Sequence, residues 1–159
     1  MRFPIATVAT ACVLALAAPR AQDAPSAEGR WKTLDDKTGR AKAIVRISRE
    51  DGVLEGRIER LFRLPDEIQD PVCIACEGGR KRQRIVGMTI LWGMRKSGDA
   101  WEGGSILDPE NGKIYRCRLV VSPDGRTLTV RGFIGVPLLG RGQTWMREAD
   151  GEGTGSRAP

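Results

Sequence analysis

Residues 101–147 read WEGGSILDPENGKIYRCRLVVSPDGRTLTVRGFIGVPLLGRGQTWMR. Strand-length runs in this stretch are separated by breaks rich in Gly, Pro, Asp or Asn. The runs are WEGGSILD, KIYRCRLVV, RTLTVRGF and QTWMR, and the breaks are PENG, SPDG and the Gly-rich segment around VPLLGRG. This spacing predicts an antiparallel meander. The stretch shows no nucleophile motif, metal cage or phosphate-binding loop, so it indicates an architecture without indicating a reaction.

The amino-terminal half follows the same plan. Further strand-length runs cover residues 29–33, 41–48, 53–62 and 89–96. Apolar and polar residues alternate along 41–48, and Asp51-Gly52 predicts a hairpin to the next run. No amphipathic helix is evident, and the weak candidate is a turn near 65–69. We therefore predict an all-β fold, an antiparallel up-and-down meander of about eight strands that closes into a small barrel because closure removes both exposed edges.

The first 21 residues have the pattern of a signal peptide. Arg2 precedes an apolar run over 3–18, which is shorter than the roughly 20 residues of a membrane-spanning helix, the alternative reading. Small residues follow, and cleavage is expected near Ala21, between Ala18 and Ala24. We therefore expect a periplasmic or secreted protein. The predicted organisation is a signal peptide at 1–21, a flexible segment at 22–28, a barrel domain at 29–148 and a disordered tail at 149–159.

Composition limits what the chain can do. The chain has 26 basic residues, and loss of Arg2 and Arg20 leaves 24 against 20 acidic ones, a net charge of +4. This mild excess does not indicate nucleic-acid binding. The chain has no His, which excludes Ser-His-Asp and Cys-His machinery. We therefore predict no enzymatic activity, no catalytic residue, no cofactor and no metal site, and we expect a monomer.

Gly29-x-Trp31 opens the first predicted strand and Arg147 ends the last. These residues resemble the lipocalin and calycin signature. In that signature an Arg covers a Trp indole and closes one end of the barrel, a cation–π contact of about 1–2 kcal/mol. The resemblance implies a lipocalin-like barrel with Trp31 and Arg147 as closing residues. An ordinary core Trp is the alternative.

A wider resemblance covers nearly the whole mature chain. The motifs that carry it are Asp108-Pro109, Gly112-Lys113-Ile114-Tyr115, Arg131-Gly132-Phe133-Ile134-Gly135, Leu139-Gly140-Arg141 and Gln143-Thr144-Trp145-Met146-Arg147. They resemble a bacterial family of small secreted proteins known only as domain of unknown function 2147. Gly142 departs from the pattern, where a Thr is usual. The resemblance implies structural roles for the motif residues, namely Asp108, Gly112, Tyr115, Arg131, Gly132, Gly140, Arg141 and Trp145, and it implies no activity.

Cys73-Ile74-Ala75-Cys76 is the one chemically suggestive motif. A redox pair requires a helix start, which the following Glu-Gly-Gly does not favour. A zinc site requires four ligands, and the mature chain offers three Cys and no His. We favour a local disulfide in an oxidising compartment. Cys117 lies within a strand and is predicted to be a buried free thiol.

Loop 63–85 separates its charges. Acidic residues occupy its first half, and the second half carries Arg80, Lys81, Arg82 and Arg84. One interpretation is an anion-recognising lip at the barrel opening, suited to a lipid phosphate or an acidic partner. The other is a solvated loop with weak ion pairs of about 0–1 kcal/mol each.

Two functional hypotheses follow. The first is a binding module that takes a small apolar or amphipathic ligand, with room left by Gly56, Gly103, Gly104 and Gly132. The second is a structural or interaction protein that acts through loop 63–85 at the envelope, with peripheral membrane contact as one form of it. An interior space below roughly 100 Å³ would remove the first hypothesis, since typical ligand sites exceed about 300 Å³. Candidate ligand- or anion-binding residues are Arg80, Lys81, Arg82, Arg84, Trp92 and Tyr115.

Overall fold

The computed structural model describes residues 25–135 and 140–149. The predicted signal peptide at 1–21 and residues 150–159 of the predicted tail lie outside the described residues, as does Leu139 of the family motif. The boundaries proposed for these segments therefore stay predictions. Within the described ranges, no helix is long and apolar enough to cross a lipid bilayer.

Eight antiparallel strands form a closed barrel in which each strand pairs with its neighbours in sequence and β1 also pairs with β8. The strands are β1 Gly29–Leu34, β2 Ala41–Glu50, β3 Val53–Leu61, β4 Thr89–Ser97, β5 Ala100–Leu107, β6 Ile114–Val121, β7 Thr127–Phe133 and β8 Arg141–Glu148. A single 3₁₀ turn, Gly78–Arg80, is the one helical element among the described residues. The predicted all-β meander and its closure are confirmed, and residues 65–69 form turns rather than a helix.

The two ends of the barrel differ because the strands alternate in direction. Turns 51–52, 98–99 and 122–126 lie together at one end, which we call the closed end. Loops 35–40, 62–88 and 108–113 and the described part of the loop between β7 and β8, residues 134, 135 and 140, lie at the other, which we call the open end. Asp51 and Gly52 both have positive φ, 49° and 77°, as a two-residue hairpin turn that follows the strand twist requires.

Inward-facing apolar side chains fill the half of the barrel nearer the closed end. Strand alternation places them inside, and all are buried: Trp31, Leu54, Met94, Trp101, Leu119 and Leu128. Side chains of this size each contribute about 1.5–3 kcal/mol when buried, so this cluster is the main source of stability. One buried residue, Ile44, departs from the simple alternation at a bulge between Ile44 and Val45.

The chain before β1 seals the closed end. The Trp31 indole N–H donates to the carbonyl oxygen of Ala27 over 2.8 Å, and both residues are fully buried. The Arg147 guanidinium lies 4.1 Å from the centre of the Trp31 ring. It also donates to the carbonyl oxygens of Ser26, Glu28 and Gly125. The segment 22–28 is predicted from the sequence to be flexible. Its described residues, 25–28, contact the barrel.

Candidate ligand-binding site at the open end

A cavity of about 1040 Å³ lies at the open end. All four loops at that end contribute to its lining, whereas none of the closed-end turns does. The volume is at the upper end of the roughly 300–1,000 Å³ range of small-molecule sites. The barrel therefore has one sealed end and one end with space for a ligand.

Apolar side chains form the floor and walls of this cavity. Val45, Ile58, Val130 and Trp145 line it and are almost closed to water, so they form the floor. Partly exposed residues such as Leu61 line the wall nearer the opening. Because the closed half of the barrel is filled, the cavity is a bowl rather than a tunnel. A ligand in it would rest on an apolar surface and keep one side near water.

Four glycines are predicted from the sequence to leave room for the ligand: Gly56, Gly103, Gly104 and Gly132. Gly132 lines the cavity, and a Cβ there would make only ordinary contacts of 3.4 Å or more. The prediction is wrong for Gly56 and Gly104, since Leu91 occupies the space beside the former and Met94 that beside the latter. Gly103 is exposed and does not line the cavity. The space arises from the shape of the open end more than from missing side chains.

Ion pairs surround the opening of the cavity. They are Arg141–Asp36, Lys42–Glu110 and Arg63–Glu67, with N–O distances of 2.7, 2.6 and 3.4 Å. Lys42 lies on β2 and Glu110 on the turn between β5 and β6, which are on opposite sides of the barrel in the strand order. That pair therefore bridges the opening. All are solvent-exposed, so each contributes about 0–1 kcal/mol and can be exchanged for a ligand contact at little cost.

Two further carboxylates shape the turns at the opening. Asp35 accepts a hydrogen bond from the Thr38 hydroxyl over 2.8 Å, and this bond, with backbone N–H donors, holds the pKa of Asp35 below its usual value. Asp108 accepts a hydrogen bond from the Glu110 backbone N–H over 2.9 Å, as an Asp at the start of a turn commonly does. The Asn111 side-chain amide donates to Asp108 and lies 3.2 Å from the Tyr115 hydroxyl. These acids organise turns rather than presenting a pair for acid–base chemistry.

The basic residues predicted as an anion-recognising lip do not line the cavity. The Arg80 guanidinium lies 4.6 Å from the centre of the Trp92 ring, away from the cavity. Arg84 forms an ion pair with Asp70 over 2.8 Å. The structure therefore spreads these side chains over different surroundings, and their proposed role in anion binding stays a prediction.

The other predicted ligand- or anion-binding residues also lie in different places. Lys81 and Arg82 are exposed on the same loop, and Arg82 has a positive φ of 61°. Trp92 is half-buried beneath Arg80 and is not part of the cavity lining. Tyr115, on β6, does line the cavity, with its hydroxyl near Asn111. Of the six candidate residues, the structure brings one to the cavity.

The disulfide between Cys73 and Cys76 is present, as predicted, and both cysteines are buried. Cys73 Sγ lies 3.3 Å from the Pro109 carbonyl oxygen, so the disulfide loop, residues 73–76, contacts the turn between β5 and β6. Gly112 of that turn lies so close to Ala75 that a Cβ would overlap the Ala75 carbonyl group. A second, shallower crevice of about 340 Å³ is lined by Cys76, Arg80, Lys113, Ile114 and Ile134, among others.

The family-motif residues concentrate at the open end. Those that line the cavity are Asp108, Tyr115, Gly132, Arg141 and Trp145. Gly112 lies beneath the disulfide loop, and Gly140 lies against the carbonyl oxygen of Gly132. Arg131 pairs in register with Gly142 on β8. The motif thus specifies how the opening is built.

Cys117 is a buried free thiol, as predicted. Burial raises the pKa of this thiol from 9.0 to about 12, so the reactive thiolate is scarce near neutral pH. The residue is a small apolar contributor to the core rather than a nucleophile.

Several cavity residues could not be identified from the sequence. Lys42 and Glu110 are 68 positions apart, and nothing in either neighbourhood indicates that they meet. Asp36 and Arg141 likewise come together only through the pairing of β1 with β8. The alternation of apolar and polar residues along β2 does place Val45 inside the barrel. The cavity floor could therefore be predicted from the sequence, whereas the residues around its opening could not.

These features define a class of protein: a small up-and-down β-barrel with one sealed end and one ligand-sized cavity, the lipocalin-like arrangement. The chain belongs to the family described as "Uncharacterized protein conserved in bacteria (DUF2147)", which matches residues 29–147. Among curated proteins no match was found.

A solved structure shares the fold. It is protein HP1028 from the human pathogen Helicobacter pylori, described as belonging to the lipocalin family. The TM-score is 0.65 with 17% sequence identity, over 77% of this chain and 83% of that one. At this identity the similarity shows the fold alone.

Proposed function

We propose that this protein is a non-catalytic binding module, exported to the periplasm or secreted, that takes a small amphipathic ligand into the open-end cavity. The observation that carries the proposal is the cavity of about 1040 Å³, with its apolar floor and charged opening. It is far above the limit of roughly 100 Å³ below which a ligand-binding role would fail, given the usual range of such sites.

The lining supports an amphipathic ligand rather than a purely apolar or purely polar one. Val130 and Trp145 offer an apolar surface in the cavity floor, where the Trp145 indole N–H already donates to Gln143 Oε1. At the opening, Tyr115, Asn111 and Gln143 add neutral polar groups to the ion pairs. A ligand with an apolar body and a polar end would satisfy both levels, whereas a polar body would lose hydration against the floor.

A binding role is favoured over catalysis by the chemistry of the site. The chain has no His, and the Cys117 thiol holds its proton because burial raises its pKa to about 12. The carboxylates at the opening are engaged in ion pairs or in turn hydrogen bonds. These side chains can hold and orient a molecule, but none of them is arranged to transform it.

Native mass spectrometry of protein purified from the periplasm is the first test. We expect a co-purifying mass of a few hundred daltons that is lost on denaturation. Recovery of the protein only in the cytoplasm would contradict the export part of the proposal.

A matched pair of variants tests the cavity itself. Gly132→Phe places a ring inside the cavity from a position with ordinary contacts, and Gly142→Phe places the same ring on β8 where nothing lies within 4 Å. With the neutral probe N-phenyl-1-naphthylamine, we expect Gly132→Phe to weaken binding roughly tenfold or more and Gly142→Phe to leave it unchanged. Equal probe affinity in both variants would remove the cavity as the binding site. The alternative of a protein that acts through loop 63–85 would then be favoured.

A further inference from the structure

Exposed aliphatic side chains gather at the open end. Among the described residues, the large apolar side chains with substantial exposure are Leu64, Ile68, Ile74, Ile114, Ile134 and Met146. All except Met146 belong to the open-end loops or to the strand ends beside them. Scattered exposed apolar residues are ordinary, but their confinement to one end of a barrel marks an interaction surface.

The most exposed of these side chains flank the cavity and the crevice. Ile68, Ile74 and Ile134 are 72%, 66% and 70% exposed. Ile134 lines both the cavity and the crevice. Ile68 is held by its carbonyl oxygen, which accepts a hydrogen bond from Arg63 at the cavity opening over 3.1 Å. Ile134 lines the cavity, and Ile68 and Ile74 lie on a loop that contributes other residues to its lining, so the aliphatic groups stand beside the opening.

The charges at the open end complement an anionic surface. In the open-end loops, the cations that form no ion pair with a carboxylate of the described residues are Lys37, Arg40, Arg80, Lys81, Arg82 and Lys113. The acids there without a basic partner are fewer: Asp35, Asp66, Glu77 and Asp108. The closed-end turns have the opposite balance, with Asp51, Asp99 and Asp124 against Arg126. An anionic surface would therefore be attracted to the open-end loops more than to the closed-end turns.

We propose that the open end docks on an anionic lipid surface, with Ile68, Ile74 and Ile134 entering the headgroup layer and the unpaired cations facing lipid phosphates. Ile68 and Ile74 lie on loop 62–88 and Ile134 follows β7, so the aliphatic groups stand at separate points beside the opening, an arrangement that a lipid surface can accommodate. Interfacial binding combines buried aliphatic area with attraction to anionic lipid. The proposal rests on the proposed function in one respect: docking would let an amphipathic ligand pass between membrane and cavity without crossing water.

Vesicle flotation of the protein, as recovered from the periplasm, tests this docking. Vesicles of equal parts phosphatidylethanolamine and phosphatidylglycerol should carry the protein, and vesicles of phosphatidylcholine alone should carry much less. Ile68→Ser/Ile74→Ser/Ile134→Ser should lower the partition coefficient roughly tenfold or more, because each change removes an aliphatic group from the lipid interface. These positions are exposed, so the fold should be unaffected, which the melting temperature checks.

Single variants provide the matched control. Ile74→Ser should weaken flotation, while Met146→Ser, which alters an exposed apolar residue outside the open end, should not. Lys81→Gln/Arg82→Gln should reduce the preference for anionic vesicles. The docking proposal would be overturned if the wild type did not float with anionic vesicles. It would also be overturned if the triple variant floated as well as the wild type, because binding would then belong to another part of the chain.

The probe experiment separates this proposal from the binding function. In solution without vesicles, Ile68→Ser/Ile74→Ser, which alters no residue of the cavity lining, should bind N-phenyl-1-naphthylamine as the wild type does. Retained probe binding with no vesicle flotation would overturn docking and leave the cavity function standing. Vesicle flotation without probe binding, in the wild type and in the variants, would support docking and contradict the cavity function.

Discussion

Replacing Gly112 with Ala tests how the open end is built. Gly112 has φ +71°, and a Cβ there would overlap the Ala75 carbonyl group of the disulfide loop. Gly39, in the loop between β1 and β2, has nearly the same φ, +69°, but nothing lies within 4 Å of its Cβ position. Comparing Gly112→Ala with Gly39→Ala therefore separates the cost of the backbone conformation from the cost of the close approach.

The two variants should lose different amounts of unfolding free energy, and the difference is large enough for a denaturation curve to resolve. An Ala in the left-handed region costs about 1–2 kcal/mol, and this cost is common to both variants. At position 112 the Ala75 carbonyl must also move, which draws Cys73 and Cys76 out of their buried positions. Losing that burial costs a further ~2 kcal/mol. The free energy of unfolding should thus fall by about 3–4 kcal/mol for Gly112→Ala and about 1–2 kcal/mol for Gly39→Ala.

Urea denaturation followed by tryptophan fluorescence measures both values. With a slope of about 1.5 kcal/mol per molar urea, the midpoint should fall by about 2–2.7 M for Gly112→Ala and about 0.7–1.3 M for Gly39→Ala. Reduction of the disulfide by dithiothreitol in the native state should also be faster in Gly112→Ala, since the loop has moved from the turn. Equal midpoints for the two variants would refute the claim that the disulfide loop rests on this turn.

Three further predictions concern the closed end, the core and the opening. Arg147→Ala should lower the free energy of unfolding by about 2–4 kcal/mol, because it removes a cation–π contact and three hydrogen bonds. The control Arg118→Ala, which removes one exposed ion pair, should lower it by about 0–1 kcal/mol. Similar losses in the two variants would argue against the sealing role of Arg147. The folded state raises the pKa of Cys117, so this thiol stabilises the fold fully below its ordinary pKa of 9.0 and progressively less as the pH rises toward about 12. The difference in urea midpoint between the wild type and Cys117→Ala should therefore narrow above pH 9.0, and a constant difference would contradict the burial of the thiol. Lys42→Met should speed the association of N-phenyl-1-naphthylamine severalfold and change the free energy of unfolding by less than about 1 kcal/mol, because the Lys42–Glu110 pair bridges the opening. High salt should speed association with the wild type as well. Unchanged association rates in both experiments would rule out a barrier at this pair.

The barrel could be predicted from the sequence because its signals are local. Alternation along each strand decides which residues face inward, and Asp51-Gly52 fixes a hairpin through its own backbone preferences. The Cys73–Cys76 disulfide closes over a sequence separation of 3, so it too was a local inference. Each of these features depends on neighbours in the chain, and each is confirmed.

The open end could not be predicted in the same way because its residues meet only through closure of the barrel. Arg80 and Arg84 are near in sequence, yet one stacks on Trp92 and the other pairs with Asp70. In a loop without periodicity, neighbouring side chains have no fixed relative direction, so a run of like charges in sequence does not predict a patch in space. The space expected beside Gly56 was filled by Leu91 for the related reason that a missing side chain on one strand is compensated by a large one on the next.

The long loop between β3 and β4 explains how an irregular segment can form part of a binding site. A connection of this length without strands or a long helix is unusual in a compact domain, and ordering it has a large entropic cost. Here that cost is met within the loop itself: Val72 and Arg84 form an isolated bridge, the Cys73 N–H donates to Gln83, and the disulfide restrains the tip. Because these contacts lie within the loop, the wall that the loop gives to the cavity is held by the loop's own residues and requires no contact from a ligand. Binding then need not include the entropy of ordering the loop, so a ligand held by a shallow apolar floor and exchangeable ion pairs can still bind with useful affinity.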